Sequence, residues 1–174
     1  MPYKLETLIN KISAIPNTDN AKLVGEFDSY LHEVGRKERY RKNQLLSLIP
    51  FCHYLAEKHG KDLKLTDIND KKIIMAFLDT KQKSKDIDPD ERWRVTWNAY
   101  LDCIKYFYRW HGSQRGKQED IPTDLWETPA FVQIRRKKII HETYSNEEIW
   151  DDQADVLLIT KYASLPDKVA ITFT

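Results

Sequence analysis

Glycine is scarce in this chain, 5 residues in 174, and runs of alternating β-branched residues are nearly absent. Both gaps argue against sheets and hairpins and for an all-α fold. Cysteine is scarcer still. Cys52 and Cys103 are the only two, and without matched histidines they do not suggest zinc. Each falls on the apolar face of a predicted helix, so two buried thiols in a reducing compartment are expected, with a disulfide as the minor alternative. No apolar run approaches the roughly 18 residues of a membrane span. The N-terminal MPYKLETLINKISAI lacks the basic-then-apolar order of a signal peptide. A cytoplasmic protein with no membrane partner is expected. Net charge is nearly absent too, at +1, so only the distribution of charge can point to a polyanionic partner.

What the chain does have is 41% hydrophobic and 32% charged residues, enough to bury a real core in a folded domain. Leu5, Leu8, Ile9 and Ile12 share a face of a short helix over 3–15. A second helix follows Asn17 to Asn20, with Leu23, Phe27, Tyr30, Leu31 and Val34 inward and Gly35 as its stop. A third runs from Lys37 to His59 with Gly60 beyond it. Leu45, Leu48, Cys52 and Leu55 line its core face, and Pro50 is expected to kink or break it. Asp67 or Asn69 is the expected cap of a fourth helix carrying Ile73, Ile74, Phe77 and Leu78.

The strongest helical pattern is Arg92 to His111, RWRVTWNAYLDCIKYFYRWH. Trp97, Leu101, Ile104, Tyr108 and His111 form its apolar face, and Gly112 is its expected end. A second stripe, Arg94, Asn98, Asp102, Lys105 and Arg109, is polar and expected to meet solvent or a nucleic acid. Gly112 to Asp124 reads as an exposed loop. Leu125 to Lys138 is expected to pack Trp126, Phe131 and Ile134 against the bundle and to end in a basic run. Ser145 and Glu148 then spell a capping box.

The order of these pieces resembles the tyrosine recombinases, the phage integrase family, and most of all their archaeal members. RKERYRKNQLLSLIPFCHYL, DINDKKIIMAFL and the aromatic helix lead to Tyr144-Ser145-Asn146-Glu147-Glu148 and to Asp167-Lys168-Val169-Ala170. The last two are similar to the family's "(L/Y)-(S/T)-x-E-E" and "D-(K/R)-x-A" phrases. The resemblance implies an N-terminal SAM-like core-binding domain over 1–138, a linker over 139–144, and the truncated start of a catalytic domain over 145–174. It implies DNA recombination by the parent protein. It assigns no catalytic residue here, because the family's first arginine lies beyond Thr174 and the chain holds no His-x-x-Arg. The chain is expected not to cut DNA by itself, and to need no cofactor or metal.

DNA binding requires cations for phosphates and side chains that reach base edges. The third helix offers Lys37, Arg39, Arg41, Lys42 and Asn43. The aromatic helix offers Arg92, Arg94, Thr96 and Asn98, with Arg94 and Asn98 as candidate base readers unless Asp102 pairs with one of them. Arg135, Arg136, Lys137 and Lys138 stand at the linker, where the family tracks the DNA backbone. The expected partners are double-stranded DNA in the nucleoid, at a recombination half-site, and other recombinase protomers in a synaptic complex. The rival reading is an all-helical protein-interaction module that uses the apolar face of the N-terminal helix, Leu5 to Ile12.

Overall fold

The computed structural model describes residues 4–115, 123 and 125–139, all of them in one compact unit, 1–139. The expectations for the linker beyond Ile139, the capping box at Ser145 and the helices after it lie outside the described residues. Among the described residues there are five α-helices and no strand: α1 (Leu5–Ile12), α2 (Thr18–Glu33), α3 (Glu38–His59), α4 (Lys71–Asp79) and α5 (Trp93–Arg115). The all-α expectation holds. Two 3-10 turns, Leu65–Asp67 and Ala130–Val132, complete the set. None of these helices is long and apolar enough to cross a membrane.

Local chemistry sets the boundaries. The Asn17 side chain accepts from the Asn20 amide at 2.9 Å and caps α2. Gly35, at φ +70, ends it by letting the Arg36 amide return to the Leu31 carbonyl. Gly60, at φ +96, ends α3. The cap of α4 is neither Asp67 nor Asn69 but Asp70, whose carboxylate accepts from the Lys72 amide at 2.8 Å; Asp67 closes a 3-10 turn instead. α3 continues through Pro50 without a break. The ring costs the Leu46 carbonyl one donor, and the buried residues on both sides of it hold the helix together. α5 likewise continues through Gly112. Ser113, next to it, is buried, and its hydroxyl turns back to the Trp110 carbonyl at 2.7 Å.

α3 is the central strut and packs on α1, α2 and α5, while α4 lies on α5. Phe27 is wholly buried against Phe107, Trp110 and Tyr106, with ring centroids 5.3, 4.9 and 5.9 Å away. Cys52 and Cys103 are both buried and free, as expected. Val34, expected inward, is 47% exposed, because it is the C-cap of α2 and the chain turns away there. α1 has no open apolar face for a partner. Leu8 is 2% exposed and Leu5 and Ile12 pack on the core, so only Ile9 looks outward.

Candidate nucleic-acid interface

The polar stripe of α5 is only partly open to solvent. It meets the chain's own residues 126–138, an irregular strap that runs antiparallel to the helix. The Arg109 guanidinium donates to the Trp126 and Thr123 carbonyls at 3.1 and 2.7 Å. Lys105 donates to the Ile134 carbonyl at 2.6 Å, and burial pushes its ammonium below the ordinary lysine value. Arg136 forks onto the Asp102 carboxylate. The Asn98 amide takes both backbone groups of one residue: its Nδ2 donates to the Lys137 carbonyl, and its Oδ1 accepts from the Lys137 N–H, each at 2.9 Å. Arg94 donates to the Lys138 carbonyl at 2.8 Å. A non-helical segment has carbonyls with no ladder to satisfy them, and the stripe supplies their donors. The apolar anchors of the strap are Trp126, Val132 and Ile134, all buried.

This placement divides the predicted residues into two groups. Arg94 and Asn98 are engaged with the strap, and Arg94 also pairs with Glu91 at 2.5 Å. Asp102 holds Arg136 rather than Arg94 or Asn98. Arg41 is almost buried and pairs with Asp28 at 2.9 and 2.6 Å. Lys137 lies over the rings of Trp93 and Trp97 at 5.9 and 5.2 Å. Lys42 stands 3.9 Å from Glu38 and Arg92 2.7 Å from Asp90. Lys37, Arg39, Asn43, Thr96, Arg135 and Lys138 remain exposed, and none of the four cations among them is in an ion pair among the described residues.

The two basic segments approach the same turn of α5. The Asn43 carbonyl of α3 lies 3.7 Å from the Cys103 sulfur, while the next-door Asp102 holds Arg136 of the strap. At the start of α3 the exposed Arg36 guanidinium sits 5.5 Å over the Tyr40 ring, and burial pushes the Tyr40 phenol up to about 12. Arg36 belongs to the same run of charge as Lys37 and Arg39, and that run was the signal for it. It is not among the residues expected above to bind DNA.

The acidic run before α5 serves the helix start. Asp88 accepts from the Trp93 amide at 2.8 Å, and Asp90 and Glu91 pair with Arg92 and Arg94. Among the described residues no group of three or more His, Cys, Asp or Glu side chains is arranged to hold a metal ion. No protein-family model, curated protein or solved structure matches the chain.

Proposed function

We propose that this chain is the DNA-gripping N-terminal portion of a site-specific tyrosine recombinase, an integrase, with a SAM-like core-binding fold. It holds a recombination half-site and positions a catalytic domain for strand exchange between protomers. The observation that carries this reading is the convergence just described. Exposed cations from two segments distant in sequence, Lys37 and Arg39 at the start of α3 and Arg135 and Lys138 on the strap, belong to segments that both contact α5, on which Thr96 is also exposed. The near-zero net charge averages over this concentration of positive charge. Phosphates are neutralised by such unpaired cations, and Asn43 is the exposed amide with the chemistry to read an adenine edge.

The test is fluorescence anisotropy of the chain with duplex DNA at about 50 and about 200 mM salt. The comparison is a variant carrying Arg39→Ala, Asn43→Ala, Arg135→Ala and Lys138→Ala. Salt-sensitive binding that weakens at least about tenfold in the variant, with three charges removed, supports the reading. A folded wild-type chain that binds no duplex at low salt sinks it.

A further inference from the structure

Four consecutive basic residues end the strap, and they are not equivalent. Arg136 is turned onto Asp102, and Lys137 is laid over Trp93 and Trp97. Arg135 and Lys138 are exposed, with no ion pair among the described residues. The division is a matter of register. Upstream, the strap is anchored by the burial of Val132 and Ile134. Among residues 135–139 no side chain is buried, and polar contacts with α5, with the Lys137 ammonium over Trp93 and Trp97, hold the chain.

Asn98 is the central one of these contacts. It is 7% exposed, and its amide matches the donor and acceptor of Lys137 one for one. The match works at a single residue, so it fixes which residue lies opposite Asn98. The neighbouring Arg136–Asp102 pair is 64% and 41% exposed, and such a pair contributes little by itself.

We infer that Asn98 is a positioning residue for nucleic-acid binding: by holding Lys137 in register it turns Arg135 and Lys138 outward together. This rests on the DNA-binding reading above and reassigns Asn98 within it. Asn98 touches no base; it sets the direction of two cations that touch phosphates. A strap released from Asn98 keeps its charges but scatters them over many directions, and the cost of ordering them then falls on binding.

The experiment is a double-mutant cycle on the chain, read by the salt dependence of duplex binding. Removing Arg135 and Lys138 together from the wild type is expected to make the log–log slope shallower by about 1.8, the share of two phosphates. Asn98→Ala is expected to lose most of that slope by itself and to weaken binding about tenfold at low salt. In the Asn98→Ala background, removing Arg135 and Lys138 is then expected to change almost nothing. Hydrogen exchange at the Lys137 amide, protected in the wild type and fast in the variant, reports the release without reference to DNA. If Asn98→Ala does not fold, Asn98→Asp takes its place, because it keeps the acceptor and the shape and loses the donor. A folded variant with a fast Lys137 amide and an unchanged slope overturns the inference alone. A wild-type chain that binds no DNA overturns the proposed function, and the inference with it.

Discussion

The Arg41 guanidinium forks onto the Asp28 carboxylate, Nε to Oδ1 at 2.9 Å and Nη2 to Oδ2 at 2.6 Å, with side chains only 12% and 8% exposed. A pair this enclosed ties α2 to the basic limb of α3. Removing one partner leaves the other charge buried and alone, which costs about 3–5 kcal/mol. Arg41→Ala and Asp28→Ala are each expected to lower stability to urea by that order. The double variant should lose less than the sum. With folding accounted for, Arg41→Ala should leave duplex affinity nearly unchanged. A selective loss of DNA binding at full stability would assign Arg41 to the interface instead.

Asn20 carries a similar load without charge. It is 2% exposed; its Nδ2 donates to the Leu63 carbonyl at 3.0 Å, and its Oδ1 accepts from the Leu65 amide at 2.7 Å. It therefore fastens the start of α2 to the turn that precedes α4. Asn20→Ala strands a buried amide and a carbonyl, and about 2–3 kcal/mol of stability should go with them. Chemical denaturation measures the loss, and a change below about 0.5 kcal/mol would mean that water replaces the side chain.

Alkali should unfold the chain. Burial pushes the Cys52 thiol up to about 12 from an ordinary 9.0, and the Tyr40 phenol up to about 12 from 10.0. The Cys103 thiol is also raised by burial. In each case the folded chain keeps a proton that the unfolded chain gives up. Their contribution is thus complete below pH 9 and is lost as pH rises towards about 12. Lys81 and Lys105, lowered by burial, act in the opposite sense near 10 and offset part of the loss. The thermal midpoint is expected to be flat from pH 7 to 9 and to fall above that range. The Tyr40 phenolate should form together with unfolding rather than before it. A midpoint that stays level to pH 11 would contradict the burial of these groups.

Gly35 sits at φ +70 with nothing within 4 Å of where a Cβ would stand. A side chain there meets no clash, so the cost of Gly35→Ala is that of the backbone conformation alone, about 1 kcal/mol. Gly35→Asn, which tolerates this region better, should recover part of it. Thermal midpoints of the two variants separate these terms, and equal values would remove the backbone explanation.

Much of the fold can be read along the chain because periodic burial leaves a periodic trace. Leu45, Leu48, Cys52 and Leu55 recur at helical spacing and are all buried in α3. Gly35 and Gly60 do end their helices. Gly112 does not, since one glycine inside a helix costs only about 1 kcal/mol against alanine, and the residues around it are packed. The contacts of the polar stripe on α5 were harder to read. Spacing reveals that Arg94, Asn98, Asp102, Lys105 and Arg109 share a side, but the same pattern serves water, phosphate or peptide carbonyls. A clue lay in the facing segment, where Pro129 and the absence of helical periodicity mark backbone that needs donors from elsewhere. Arg41 was hidden for a related reason, because its partner Asp28 lies on a different helix and nothing in their separation announces the pair.

The strap also bears on the order in which the molecule can be completed. Its anchors Trp126, Val132 and Ile134 belong to the same core as Leu8 and Ile15 near the other end of the chain. A nascent polypeptide that has finished α1 to α5 therefore still has an open seam along α5, with apolar side chains beneath it and a row of donors without acceptors beside it. Closure waits for a segment with almost no regular structure of its own. A protein built in this way stays vulnerable to sticking and to proteolysis until the strap has left the ribosome.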